Sequence, residues 1–347
     1  MSKPDVLFVL SIDTEEEWQW DEPFPESDFA VDNVKHLPSF QYQMEQLGIR
    51  PTYFVDYPVL DDPTSLEQIK QVIKHRQCEV GAHLHPWCNP PYFGPTTEFE
   101  SHVVNLPREH VATKLDALIQ KTQDTLGIRP QSFRTGRWGI NETIFELLVE
   151  RGIWIDSSVY PMYDNDYFSC YDAPFVPYYP DFGLPNFAGQ QRHLLELPVT
   201  VGFNRMDDET GRHLQTKAEK GIWHYCRANA LLWHTTLLRK LYLSPELSSI
   251  EDMKSLVDNC LRQERPVIHM YLHSSSFLDN GTGFYLDRDA HKHILDSVTR
   301  VFKHLSHQAN VTCATISEAA HLLGMQNQVN SHTQPLSASR QDIRMVS

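Results

Sequence analysis

Cysteine is sparse and unpaired in this 347-residue chain. The six residues, Cys78, Cys88, Cys170, Cys226, Cys260 and Cys313, are scattered, and no CxxC pair occurs. That argues against a disulfide framework and against a cysteine zinc site. Long apolar runs are missing as well, so no segment reads as membrane-inserted. The first apolar stretch follows Met1-Ser2-Lys3-Pro4-Asp5 directly, is short for a signal peptide and ends in acids rather than small residues. The expectation is a cytoplasmic protein. Positive charge is in deficit: 30 Lys and Arg stand against 45 Asp and Glu, a formal net charge of −15, which disfavours nucleic acid as a partner. The chain has no internal repeat, and no nucleophile elbow of the kind an α/β serine hydrolase needs.

What is present is an alternation of strand-like and helix-like segments. Strands are expected over residues 6–13, 51–55, 78–83, 132–135, 153–156, 194–201, 267–272 and 310–314. Helices are expected over 34–47, 64–75, 107–126, 141–151, 287–306 and 316–323, with Asn141 as a cap and Gly48, Gly127 and Gly152 as stops. This order favours an α/β fold with a parallel sheet, open or closed, whose chemistry collects at the C-terminal strand ends. Residues 1–323 read as a single catalytic domain with long loops at 86–106 and 159–193. Residues 324–347 read as a flexible polar tail.

Two strand ends carry matched doublets. Leu7-Phe8-Val9-Leu10-Ser11-Ile12-Asp13-Thr14-Glu15 ends in two acids, and Glu79-Val80-Gly81-Ala82-His83-Leu84-His85 in two histidines. Residues two apart in a strand share a face, so Asp13 pairs with Glu15 and His83 with His85. Two carboxylates and two imidazoles are the ingredients of a catalytic metal site with an open position. The readings without chemistry are a capping or salt-bridge pair for the acids and hydrogen-bonded core histidines for the other doublet. Glu16 and Glu17 read as solvated loop acids, and Cys88 as a reduced loop cysteine or a further ligand.

The irregular stretches 16–33, 86–106 and 159–193 are rich in aromatic residues, among them Trp87 and Tyr160. Long loops of this kind are functional or disordered, and the aromatics argue against disorder. Flat apolar faces with polar edges suit a sugar ring, or serve only to anchor the loops.

Five segments in order resemble the motifs of the NodB-type polysaccharide deacetylases, carbohydrate esterase family 4. They are Ser11-Ile12-Asp13-Thr14-Glu15, Glu79-Val80-Gly81-Ala82-His83, Phe133-Arg134-Thr135-Gly136-Arg137-Trp138-Gly139, Ile155-Asp156-Ser157-Ser158 and Tyr271-Leu272-His273. The resemblance implies a distorted (β/α) barrel of about seven parallel strands. It implies Asp13 as catalytic base and His273 as general acid. A divalent metal, most simply Zn²⁺, would be held by Glu15, His83 and His85. Two departures mark a subgroup. Trp87 stands where the family has its second histidine, making His85 the substitute, and Thr14 stands where the second acid is expected, making Glu15 the substitute. Which of Asp13 and Glu15 is base and which is ligand stays open, and His85 is otherwise a substrate contact or a loop brace. Arg134 and Arg137 orient Asp13 or bind an anionic group. Asp156 tunes His273 or supports an arginine. Glu196 is a strand acid that faces the site. His269, lower in the last site strand, reads as structural. Arg137, Trp138, Trp87 and Tyr160 are the substrate-binding candidates.

The activity implied is removal of an N-acetyl or O-acetyl group from a sugar or a polysaccharide precursor. In the cytoplasm that precursor would be nucleotide-linked or lipid-linked. Other partners are not called for, beyond an acetylated small molecule as substrate. The competing expectations are a metal-dependent hydrolase of another C–N bond, such as a cyclic amide or imide, and a non-catalytic carbohydrate-binding relative.

Overall fold

The computed structural model describes residues 3–18, 22–219, 238–279 and 289–324. Its strands there are β1 (Asp5–Thr14), β2 (Thr52–Val55), β3 (Glu79–Leu84), β4 (Ser132–Thr135), β5 (Ile155–Asp156), β6 (Leu195–Glu196), β7 (Val201–Phe203), β8 (Lys240–Tyr242), β9 (Val267–His273) and β10 (Asn310–Cys313). Eight of them form one sheet in which every pairing is parallel.

β1 is the hub. Along one edge it pairs with β9 from Leu7 to Asp13. Along the other, β10 takes the lower half, from Asp5 to Phe8, and β2 the upper half, from Ser11 to Thr14. From β2 the sheet runs through β3, β4 and β5 to β6. The chain beyond β6 then reaches the free edge of β9: Thr200 N–H donates to the His269 carbonyl (3.0 Å), and His269 N–H to Thr200 Oγ1 (2.8 Å). The sheet is therefore curled into the distorted (β/α) barrel expected from the sequence, with the short β10 added at its base.

Alternation along the strands sorts the side chains. In β9, Ile268, Met270 and Leu272 join the outer core between sheet and helices, while His269, Tyr271 and His273 face inward. The lower interior is apolar, built from Val9, Phe54, Ile155, Leu195, Leu197 and Val267, and the helix Ile316–Leu322 packs into it. Polar side chains are left for the upper end, where the strands finish.

Helices Leu37–Leu47, Arg108–Leu126, Glu142–Glu150 and Ala290–Gln308 lie near their expected places. Asn141 caps its helix by accepting from Ile144 N–H at 3.0 Å. The helix expected over 64–75 is Pro63–Val72 followed by a 3₁₀ turn at Ile73–His75, and a short unexpected helix, Tyr57–Asp61, precedes it; each of the two α-helices starts at an aspartate cap. The strand expected over 194–201 divides around Pro198, which has no N–H for a ladder. Its second half becomes β7, antiparallel to β8. The sequence reading also passed over helices Asp208–Glu219 and Ile250–Arg262. The second was legible: Ser249 caps it, and Met253, Leu256, Val257 and Cys260 fall at helical spacing. The tail expected over 324–347 lies outside the described residues after Gly324, and so does Cys226. No helix among the described residues is long and apolar enough to cross a membrane.

Candidate metal and catalytic site

Strands β1, β3 and β9 end around one cavity of about 350 Å³, whose lining includes Asp13, Glu15, His83, His85 and His273. Glu15 stands just beyond β1. Its N–H donates to Ser274 Oγ (3.1 Å) and its carbonyl accepts from Asn33 Nδ2 (3.0 Å), which fixes the backbone here. Glu15 Oε2 then lies 3.2 Å from His83 Nε2 and 3.4 Å from His85 Nε2. The structure thus brings together Glu15, His83 and His85, three of the four residues of the strand-end doublets.

The protonation states suit ligation. His83 Nδ1 faces the Arg134 carbonyl at 3.1 Å, and a carbonyl only accepts. Nδ1 therefore carries the proton and Nε2 keeps its lone pair. Burial holds His85 below the usual imidazole value, in the neutral form, against the pull of Glu15 and Asp56. Burial also opposes the Glu15 carboxylate, but the charge of His273, the largest of the opposing causes, helps hold its pKa below the ordinary value. Three buried donor atoms lie within 4.8 Å of one another. Tetrahedral zinc with arms of about 2.0–2.1 Å sets its donors roughly 3.3 Å apart, which is the spacing of Glu15 Oε2 from each of the two histidine nitrogens. The donor set fits a divalent metal.

Gly136 makes room for this arrangement. A Cβ there would lie 1.8 Å from His85 Cδ2. The His85 ring stacks on Trp87, with centroids 4.3 Å apart.

Glu16 corrects the sequence reading. It is not a solvated loop acid: its side chain is fully buried. The strand alternation stops at Thr14, so the next acids do not follow it, and Glu16 turns under His85. Its Oε2 accepts from His85 Nδ1 (3.0 Å) and its Oε1 from Trp87 Nε1 (2.6 Å). Cys88 Sγ lies 3.5 Å from Oε2, and Glu16 N–H donates to Asp56 Oδ2 (2.9 Å). Burial, and then Glu16 itself, push Asp56 well above the usual carboxylate range, and burial raises Glu16 as well. Glu17 is half-buried and accepts from Asn33 N–H at 2.7 Å.

Asp13 and His273 sit beside the donor cluster. Arg134 is fully buried and aims its fork at the β1 end: one terminal N–H donates to Asp13 Oδ1 (2.5 Å), Nε to the Ser157 carbonyl (2.8 Å) and the other terminal N–H to Ser157 Oγ (2.9 Å). Burial penalises the Asp13 anion, but Arg134, His83 and His273 outweigh it and hold the carboxyl below its ordinary value. His273 Nε2 is 3.7 Å from Asp13 Oδ2. Burial works against the imidazolium too. Glu246, Glu15 and Asp13 overcome it and raise His273 to about 10.

Glu246 is the residue the sequence reading missed. It comes from the loop after β8, and its only sequence signal is an acid 27 residues before a candidate general acid. It takes the role considered for Asp156. Asp156 instead accepts from Ser158 Oγ (2.7 Å) and Ser158 N–H (3.1 Å), and burial and Asp156 push the neighbouring Glu196 well above the usual range. Neither acid is among the lining residues, so Glu196 does not face the cavity as expected.

The wall is aromatic. Trp138 stacks on Tyr160 (4.9 Å, 19°) and meets Tyr271 edge-on (86°), and Tyr271 OH donates to Tyr160 OH (2.7 Å). Arg137 and Trp138 both adopt left-handed backbone conformations at φ 61°. Such conformations are costly for non-glycine residues and cluster at functional sites. Arg137 does not reach Asp13. It sits at the rim on Glu98 (2.8 Å) and Ser101 Oγ (2.6 Å).

No family model matches the sequence, and no curated protein matches it. Solved structures do share the fold. A provisionally assigned glycoside hydrolase/deacetylase from Parabacteroides distasonis aligns with a TM-score of 0.58 and 15% identity, over 94% of this chain and 73% of its own. A provisionally assigned polysaccharide deacetylase from Mycobacterium smegmatis aligns at 0.54 and 15% identity, over 93% and 92%. At these identities the likeness is one of fold.

Proposed function

We propose that this chain is a metal-dependent deacetylase that removes an N-acetyl or O-acetyl group from a sugar or a polysaccharide precursor. One observation carries the reading: beside a two-histidine, one-carboxylate donor cluster, a single cavity holds a carboxylate kept ionised and an imidazole kept protonated, 3.7 Å apart. Paired groups with opposed pKa shifts are the mark of base and acid in one site. The names given to the two fold neighbours agree with this chemistry.

Glu15, His83 and His85 would hold the metal, most simply zinc, whose contribution is to polarise an acyl carbonyl and to make water nucleophilic near neutral pH. Asp13 accepts a proton from the attacking water, with Arg134 fixing its orientation through Oδ1 and leaving Oδ2 toward the cavity. His273 donates a proton to the departing amine or alcohol oxygen through Nε2, because Glu246 holds Nδ1. The products are acetate and the freed amino or hydroxyl group. Trp138 and Tyr160 offer the flat faces on which a sugar ring packs.

Acetate release from a panel of N- and O-acetylated sugars, set against small cyclic amides, tests the reaction. Metal content tests the cofactor. Equal, negligible metal in the wild type and in a His83→Ala, His85→Ala double variant would sink the metal-hydrolase reading. Turnover of cyclic amides alone would move the substrate to another class.

A further inference from the structure

We infer that Glu16 is a positioning residue for the metal centre: it fixes the tautomer and ring orientation of His85, so that Nε2 presents its lone pair beside Glu15 and His83. This rests on the metal-dependent reading above and extends it to a residue outside the donor set.

The geometry carries the inference. A histidine can offer either ring nitrogen, and the partner of the other nitrogen decides which. For His83 that partner is a backbone carbonyl. For His85 it is the Glu16 carboxylate, whose oxygens lie 3.1 and 3.0 Å from Nδ1. Both Glu16 oxygens already accept, Oε1 from Trp87 Nε1–H and Oε2 from the Cys88 thiol, so the proton between Glu16 and His85 sits on Nδ1. The carboxylate also makes the other nitrogen more electron-rich than a carbonyl would. Glu16 in turn is clamped by Trp87 Nε1 at 2.6 Å and by its own N–H to Asp56 at 2.9 Å. The same Trp87 stacks on the His85 ring, and Gly136 lies against its Cδ2–Nε2 edge. The ring is thus held at one nitrogen, by a stacked neighbour and along one edge.

Glu16→Gln tests this in the full chain, with Zn²⁺ alone as the probe. The amide can donate to Nδ1 and so release the Nδ1–H tautomer. The expectation is a loss of Zn²⁺ affinity of about 10–100-fold, measured by competition with a chelator, with stoichiometry kept. Nitrogen NMR of the metal-free protein should show His85 as the Nδ1–H tautomer in the wild type and as a mixture in the variant. Unchanged affinity and an unchanged tautomer would overturn the inference while leaving the metal site intact. A wild type that binds no Zn²⁺ would instead remove the metal reading, and the inference with it. A fall from two ions per chain to one would make Glu16 a ligand, which also overturns the positioning role. Should Glu16→Gln not fold, Trp87→Phe carries the test. It keeps the stacked ring but removes the donor to Glu16, and a several-fold affinity loss is expected. No loss in that variant counts against the clamp.

Discussion

Glu246 holds His273 at two points. Oε1 accepts the His273 backbone N–H at 2.7 Å, and Oε2 the imidazole Nδ1–H at 2.9 Å. One carboxylate thereby fixes where β9 ends, which way the ring points and how long it keeps its second proton. With the metal-free pKa near 10, the imidazolium persists throughout the neutral range.

Replacing Glu246 by Gln should lower the His273 pKa by about 1–3 pH units, the usual effect of losing an opposite charge at contact distance. The sign for stability follows from the raised pKa. In the wild type the contribution is complete below the unfolded value of about 6.5, and it is lost as pH rises through about 10. The variant should therefore lose part of the wild type's alkaline decline in stability. An NMR titration of His273 checks the midpoint, and an unmoved midpoint rejects Glu246 as the cause.

Asp13→Asn should still bind metal yet lose turnover by about 10²–10⁴-fold, the range expected when a general base is removed. It should also destabilise the fold, by up to about 3–5 kcal/mol, because Arg134 keeps its burial and loses its counter-ion. Metal content, acetate release and a melting curve on one preparation separate the three effects. Unchanged turnover would reject Asp13 as base.

Much of this site was written in the sequence because it lies on regular strand. Asp13, His83 and His273 sit at strand ends, and Glu15 and His85 fall within reach of the same alternation. Its limits are equally physical. Glu16 lies past Thr14, where β1 stops, so period-two reasoning had nothing to say about it. Glu246 reaches His273 from a loop, and no local pattern announces a contact across that distance. Asp156 sits two residues from Ser158 and next to Glu196 across a strand pair, so short-range partners claim it before the cavity does. The parallel sheet was legible from the order of elements, and its closure into a barrel only from the resemblance carried by the five motifs. The antiparallel pair β7–β8 was not, because each strand is three residues long.

Gly136→Ala is the sparest probe of the donor geometry. A methyl group 1.8 Å from His85 Cδ2 cannot be accommodated without moving the ring. Stacked Trp87 blocks the obvious retreat. The variant should fold with a modest stability loss of about 1–3 kcal/mol, as overpacking costs. Its Zn²⁺ affinity should fall at least tenfold, about 1.4 kcal/mol of binding free energy. Wild-type affinity in a folded Gly136→Ala protein would show that His85 is not a ligand.

Lys114 braces the segment that carries Trp87 and Cys88. Its buried Nζ donates to the carbonyls of Pro86 (2.8 Å), Asn89 (2.5 Å) and Pro91 (2.9 Å). Lys114→Met keeps the side-chain length but strands three acceptors, and hydrogen bonds to a charged group contribute about 1.5–3 kcal/mol each. A loss of roughly 3 kcal/mol is expected, with faster hydrogen exchange at residues 87–89. A thermal midpoint equal to the wild type's would remove the brace.

His269 gives the chain an acid sensitivity that can be read separately from the site. Its Nδ1–H donates to the Pro198 carbonyl (3.1 Å), so Nε2 accepts from Ser11 Oγ (2.8 Å), and neither nitrogen has room for a second proton without breaking a bond. Burial, and then Arg134, lower its pKa to about 3. Between the unfolded value of about 6.5 and that folded value, the unfolded chain binds a proton that the folded chain refuses. Stability is therefore fullest above pH 6.5 and falls with acidification, by about 1.4 kcal/mol per pH unit for this one group. Asp156 and Glu196 titrate in the opposite sense, since their raised carboxyls favour the folded state as pH drops. Comparing His269→Gln with the wild type cancels them. Glutamine can donate to Pro198 and accept from Ser11, so the variant should fold and its denaturation midpoint should decline less steeply between pH 6.5 and 4. Parallel pH profiles for the two proteins would mean that His269 is already protonated in the native barrel.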